Sequence, residues 1–231
     1  MITEYQIKSS FLSAPRKAWI HHAEKAETCL LFLDGELYTD RVKAPEVIAA
    51  ARASNSLQPV TCVYLPNLSA VDRHEVFTGN ERFASFVALE MPRWIERETG
   101  RFERLLLCGL SLSALQAIFA ALQHSDIFAG VLVQSPSAWW QDEWLASSLR
   151  TQPSSRGRYW LSVGTHELQE DTTHPPTPLI QKASQLASVH RLATRMANVG
   201  HDIHLHEYDG GHDPVCWGAE LPRALEWLLK T

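Results

Sequence analysis

Short apolar runs alternate along this chain with longer stretches of helical periodicity, and several of the runs are apolar almost without interruption. In order they read RKAWIHH, TCLLFLDG, PVTCVYLP, RLLLCG, GVLVQSP, RYWLSVGT and DIHLHEY. A strand that alternates polar and apolar residues rests one face on a core, whereas a strand apolar throughout is covered on both faces. Between the runs the spacing predicts helices over Pro45–Ser54, Arg82–Glu98, Ser113–Gln123, Trp140–Leu149, Leu179–Asn198 and Leu221–Leu229. Such alternation predicts the α/β class, with a mostly parallel central sheet and helices on both of its faces.

A chain of 231 residues suffices for one α/β domain spanning 1–231, large enough to bury roughly 70% of its unfolded surface. The formal charge of −5 is spread without a basic stripe, so nucleic acid is not an expected partner. The N-terminus has no apolar leader, and no run approaches the roughly 20 residues of a spanning helix, so neither a signal peptide nor a membrane anchor is expected. Cys29, Cys62, Cys108 and Cys216 are widely separated, which suggests reduced thiols and a cytoplasmic location. Pro92 should bend the helix that carries Phe83, Phe86, Val87, Glu90 and Trp94 at core spacing. Gln152–Gly157 and Gln169–Leu179 read as loops, the second near the carboxyl edge of the sheet, where ligands bind in this architecture.

The stretch LLLCGLSLSALQAIFAAL, Leu105–Leu122, carries the sharpest chemical signal. An apolar run ends at Gly109, Ser111 follows, and a helical pattern begins at once, as in the G-x-S-x-G turn that exposes a nucleophilic serine between strand and helix. Here Ser113 replaces the last glycine of that motif. A serine nucleophile needs an imidazole to take its proton and a carboxylate to orient the imidazole. His212 follows the last predicted strand through Gly210 and Gly211, whose freedom to adopt positive φ would swing the ring back over the sheet edge. For the acid, GTHELQED offers Glu167, Glu170 and Asp171, with Glu167, close to a strand end, ranked first and Asp171, deeper in the loop, second. The N–H groups of Leu112 and of Glu36, beyond Asp34–Gly35, are the candidate oxyanion donors.

With these positions in hand, the chain resembles the catalytic domain of the enterochelin (enterobactin) esterase family, in the esterase D-like branch of the α/β-hydrolases. The resemblance runs from about Arg16 to the end and is carried by LLFLDGELY, GLSLSALQAIFAALQHSDIFAGVLVQSPSAWW and DGGHDPVCW. It implies the α/β-hydrolase fold, Ser111 as nucleophile, His212 as base, Glu167 as acid and Trp139–Trp140 as the family's aromatic pair. In the family pattern two glycines follow the nucleophile; Ser113 and Ala114 stand there instead, small enough to preserve the turn. The implied partner is a small-molecule ester, siderophore-type or other, with no cofactor.

Trp139, Trp140 and Trp217 flank these positions and are candidate walls of a substrate pocket. Arg73, Arg82, Arg93 and Arg101 could form a local basic patch for an anionic substrate. His204 and His206 share a strand face, but no third ligand follows at metal-binding spacing, so no metal site is expected. An acyltransferase of the same fold, and a non-catalytic binding protein that keeps it, are the alternative readings.

Overall fold

The computed structural model describes residues 2–150, 157–175, 177 and 179–230. Ten strands are described: β1 (Ile2–Ile7), β2 (Arg16–His21), β3 (Thr28–Leu33), β4 (Val60–Leu65), β5 (Arg104–Leu110), β6 (Gly130–Gln134), β7 (Arg158–Gly164), β8 (Thr172–Thr173), β9 (Ile180–Gln181) and β10 (Asp202–Tyr208). Eight form one sheet in the order β1-β2-β4-β3-β5-β6-β7-β10. Pairing is antiparallel from β1 to β2 and from β2 to β4, and parallel from β4 across to β10.

The two-residue period of the strands divides the core in two. Leu31, Leu33, Leu105, Leu107, Val131, Val133 and Leu161 face one helical layer, while Leu30, Phe32, Leu106, Cys108, Leu132 and Trp160 face the other. This is why β3, β4 and β6 read as unbroken apolar runs: neither face of any of them meets water. At the edge, β10 is half-buried, with Ile203 and Leu205 on the first cluster and His204 and His206 against Trp160 on the other side.

The helices are α1 (Gly35–Asp40), α2 (Ala44–Ala53), α3 (Ala70–Val76), α4 (Glu81–Ser85), α5 (Met91–Thr99), α6 (Ser111–Gln123), α7 (Trp140–Ser148), α8 (Gln185–Asn198) and α9 (Pro214–Leu229). Several boundaries differ from the sequence expectation. A wide π turn, Phe86–Glu90, joins α4 to α5, and Pro92 lies in the first turn of α5, where its missing N–H is harmless. Residues Leu179 to Ser184 are not helical: β9 pairs with β8 in a small hairpin, and Ser184 caps α8 by accepting from the Ala187 N–H. Helix α9 starts at Pro214, two turns before the predicted Leu221, because Asp213 caps it and Pro214 suits its first turn; Pro222 lies inside it. The short helices α1 and α3 and the edge strand β1 were not expected, being too short for a periodic signal. The predicted loop Gln152–Gly157 lies outside the described residues except at Gly157. Among the described residues, no helix is long and apolar enough to cross a membrane.

Candidate active site

The parallel strands β5, β6, β7 and β10 end along one edge, and the candidate residues leave from those ends. Ser111 begins α6 immediately after β5 with φ of 53°, a left-handed conformation costly for a residue with a Cβ. The surroundings impose it. A Cβ on Gly109 would stand 2.5 Å from the Ser113 carbonyl oxygen and 2.7 Å from the Ala114 nitrogen, so only glycine lets the helix double back on the strand. Ser113 is fully buried; its hydroxyl donates to the Leu110 carbonyl at 2.8 Å and accepts from the Leu110 N–H at 3.0 Å. Helix α6 therefore starts two residues before the predicted Ser113, and that serine ties the turn.

His212 is carried back over the sheet edge by the segment after β10. The expectation of positive φ at Gly210 and Gly211 is not met: the positive-φ glycines among the described residues are Gly79, Gly100 and Gly200. Gly210 is needed for space instead. A Cβ there would lie 2.6 Å from Cys216 Sγ, and one on Gly164 would lie 2.3 Å from the Gly210 carbonyl oxygen.

Glu167 follows the end of β7 by a short turn closed by its own N–H on the Gly164 carbonyl at 3.1 Å. Its Oε2 lies 2.6 Å from His212 Nδ1. Its Oε1 accepts from Ser135 Oγ at 2.7 Å, the Gly164 N–H at 2.8 Å and the Tyr208 hydroxyl at 3.0 Å. The side chain is only 3% exposed. Burial pushes its pKa up, but the bond and charge of His212, with the Ser135 and Gly164 bonds, outweigh burial and hold the carboxyl below its ordinary value. Asp171 is exposed and has no bond to the imidazole.

Ser111, Leu112, Glu167, His212, Trp139 and Trp140 line one cavity of about 420 Å³, with Arg73, His74, Ser137, Gln169, His174, Gln181 and Gln185 among the other walls. Ser111 and His212 face this space without a direct hydrogen bond, the loose arrangement common in unliganded enzymes. The Trp139 indole stacks on His174, centroids 4.4 Å apart. Trp140 is followed by three left-handed residues, Gln141, Asp142 and Glu143, so the predicted helix is broken at its start. Arg191 grips Glu143 with three bonds, and Lys182 reaches Asp142 at 3.0 Å.

Trp217 and Glu36 are not in the cavity wall. Trp217 is 3% exposed, packs edge-on against His212 at 4.9 Å and donates its indole N–H to Ser135 Oγ at 3.2 Å and Tyr208 at 3.0 Å. It braces the carboxylate's support. The Glu36 carboxylate accepts from the Asn67 side chain at 2.9 Å and backbone at 3.1 Å. Its N–H, like that of Leu112, belongs to the first turn of a helix, where no carbonyl of the same helix can pair with it; the carboxylate of Glu36 itself turns back onto that N–H. The Asp34–Gly35 pair is more than a common turn. Asp34 is fully buried with φ of 55° and takes Arg73 in a double ion pair, both bonds 2.7 Å, with Asn67 on the same oxygen. A Cβ on Gly35 would meet the Leu65 nitrogen at 2.8 Å.

Of the proposed basic patch, only Arg73 reaches the cavity, and Asp34 occupies it; Arg82 is spent on the Phe11 carbonyl. Sequence reasoning missed Ser135, Tyr208 and Gln185. Gln185 donates to the Ser135 and Pro136 carbonyls at 2.5 and 2.8 Å, holding Ser135 at φ of 43° beneath Glu167. The only signal for Ser135 was its place at the end of a buried strand. Among the described residues no group of three or more His, Cys, Asp or Glu is arranged to hold a metal.

Residues 9–228 match the model of a family described as "Putative esterase". The iron(III) enterobactin esterase of Escherichia coli (strain K12) is 27% identical over 234 residues, 94% of this chain and 54% of the relative. The iron(III) salmochelin esterase of Escherichia coli O6:H1 is 26% identical over 207 residues, covering 81% and 47%. The chain thus spans about half the length of these relatives. Among solved structures, the enterobactin esterase from Shigella flexneri in the presence of enterobactin superposes with a TM-score of 0.82 at 24% identity, over 99% of this chain and 58% of that one. A ferulic acid esterase superposes with a TM-score of 0.77 at 15% identity, covering 99% and 97%. At such identities the likeness speaks for the fold, an α/β-hydrolase-like sheet with surrounding helices.

Proposed function

Since the chain belongs to this esterase family, we propose that it is a serine hydrolase that cleaves a small carboxylic ester through an acyl-enzyme, with Ser111 as nucleophile, His212 as base and Glu167 as the orienting acid. The observation that carries the reading is the 2.6 Å contact of His212 Nδ1 with a buried carboxylate, in the same cavity as a strained serine at a strand-to-helix turn.

With Nδ1 engaged by Glu167, Nε2 of His212 is the nitrogen left for Ser111. The Ser111 oxygen attacks the ester carbonyl as Nε2 takes its proton, and the carbonyl oxygen becomes an oxyanion that accepts from the Leu112 N–H in the cavity wall, with the Glu36 N–H, outside that wall, proposed as the second donor. The C–O bond then breaks, and the alcohol leaves with the proton from Nε2. A water molecule, deprotonated by the same nitrogen, attacks the acyl-serine, releases the carboxylic acid and restores Ser111. Glu167 stays ionised throughout and stabilises the imidazolium. Its four donors keep it in place. No step calls on a cofactor.

Trp139 and Trp140 serve as substrate walls in this reading, and Trp217 acts through His212 and Ser135 as a positioning residue. All four cysteines are free, which suits a reducing compartment such as the cytoplasm. The decisive experiment is labelling with a fluorophosphonate followed by peptide mass spectrometry. A single adduct on Ser111, lost in His212→Ala, is expected; an unlabelled protein, or an adduct elsewhere, overturns the assignment.

A further inference from the structure

Gln134 is fully buried at the end of β6, a strand whose other members are Gly130, Val131, Leu132 and Val133. By the two-residue period it shares a face with Leu132, in the layer that holds Trp160 and Trp217. In register it lies between Leu110, the residue before Ser111, and Ser162. A polar side chain in such a place needs a partner for each of its hydrogen-bonding groups.

The amide finds three. Its Oε1 accepts from the Tyr38 hydroxyl of α1 at 3.0 Å, and its Nε2 donates to the Trp217 carbonyl at 3.0 Å and to Glu220 Oε1 at 2.7 Å, both on α9. The orientation is fixed, because a reversed amide would set its oxygen against two acceptors. A hydroxyl has one proton to give and could not serve both.

Trp217 is thereby held at two ends by consecutive residues of one strand, its carbonyl by Gln134 and its indole N–H by Ser135 Oγ at 3.2 Å. The same Ser135 hydroxyl donates to Glu167 at 2.7 Å, and the indole stands edge-on to His212 at 4.9 Å. His212 lies just ahead of Pro214, where α9 begins, and the Trp217 N–H donates to the Asp213 carbonyl at 3.3 Å. Anchoring Trp217 to β6 therefore fixes the first turn of α9, and with it the segment that carries the imidazole.

We propose that Gln134, which does not reach the cavity, is a positioning residue for the His212–Glu167 pair and acts through Trp217. The proposal rests on the reading of Ser111, His212 and Glu167 as the catalytic residues and adds a claim about what aligns two of them. Loss of the amide frees the Trp217 carbonyl, lets the start of α9 turn and draws the imidazole away from the carboxylate, while the substrate walls stay in place.

The test measures kcat and KM for p-nitrophenyl acetate, Tm, and the far-downfield proton resonance of the His212 Nδ1–H in Gln134→Met, Trp217→Phe and the double variant. Gln134→Met keeps the length of the side chain and loses all three bonds. Its kcat should fall by about 10²-fold, as for a misplacement of about 1 Å, with KM little changed and the resonance shifted or broadened. Ile95→Ala, which truncates a buried residue of α5 in the other layer, lowers Tm as a control and should alter neither kcat nor the resonance. In the Trp217→Phe background, Gln134→Met should cost less than about 3-fold further, because the route is already cut. If Gln134→Met does not fold, Gln134→Asn, an amide one methylene short of Trp217, replaces it with the same expectation. An unchanged kcat, a loss carried by KM alone, an unmoved resonance, or full additivity with Trp217→Phe overturns the proposal. Fluorophosphonate labelling of Ser111 together with full kcat in the Gln134 variants removes this proposal alone. Absence of both label and turnover in the unaltered protein removes the catalytic reading and this one with it.

Discussion

Gly164 and Gly210 touch so closely that a Cβ on the first would lie 2.3 Å from the carbonyl oxygen of the second. This contact joins the end of β7, which launches Glu167, to the segment after β10, which carries His212. The His166 N–H adds a bond to the Gly210 carbonyl at 2.9 Å, and the Thr165 N–H one to the Tyr208 carbonyl at the same distance. The pairing of acid and base thus depends on two glycines in different segments.

Gly164→Ala should therefore push the two segments apart. A displacement of about 1 Å in a catalytic pair can cost on the order of 10² in kcat, and overpacking typically costs about 1–3 kcal/mol of stability. Steady-state kinetics and thermal unfolding of the variant check both. An unchanged kcat would show that the contact does not position the pair.

The two serines of the turn should separate cleanly. Ser111→Ala is expected to lose activity on the order of 10⁶ in kcat, if subtilisin is a guide. Ser113→Ala removes a hydroxyl tied to both polar groups of Leu110 and should lower stability by about 1–3 kcal/mol while Ser111 still accepts a fluorophosphonate. Adduct mass spectrometry and melting curves on the same samples distinguish the two effects.

Glu167→Gln should cost about 10⁴ in kcat, through loss of the imidazole's orientation and tautomer, whereas Asp171→Asn should leave the rate near that of the unaltered protein. The pH behaviour follows from the lowered carboxyl of Glu167. Because its folded pKa lies below the unfolded one, its stabilisation is complete above the ordinary carboxylate range and fades as pH falls through the lowered value. Acid unfolding monitored by circular dichroism should accordingly be shallower in Glu167→Gln, and an equally steep curve would deny the carboxylate that role.

Glu220 should act in the opposite sense. It is buried beneath the sheet, where Gln134 donates to its Oε1 at 2.7 Å and Ser162 at 2.6 Å, while His206 Nε2 stands 4.0 Å from its other oxygen. Burial pushes its pKa up to about 7, against those bonds. The folded state therefore holds a proton that the unfolded state has released, and the stabilisation, full below the ordinary carboxylate value, is lost as pH rises through about 7. At higher pH the loss is on the order of 3 kcal/mol. Glu220→Gln keeps an acceptor for both donors and should raise Tm at pH 9 relative to the unaltered protein, with little change at pH 5. Equal Tm differences at both pH values would exclude titration as the cause.

Most of what the sequence determined is local. The apolar runs specified buried strands because each residue's face follows from its neighbours two positions away, and Gly109–Leu110–Ser111 specified the turn because the constraint lies within five residues. Glu167 was legible for a similar reason: three residues beyond a strand end leave a side chain little freedom. Where several segments meet, the sequence was silent. That Trp217 braces Ser135 instead of lining the cavity, that Gly210 provides space instead of a left-handed turn, and that Asp34 captures Arg73 all depend on close approaches between residues 39 to 82 positions apart in the first and last cases and 46 apart for the glycines, 164 and 210. Periodicity carries no information about which distant atoms come within 3 Å. Packing at the sheet edge decides it, because there each buried polar group must find a partner and each close contact excludes a Cβ.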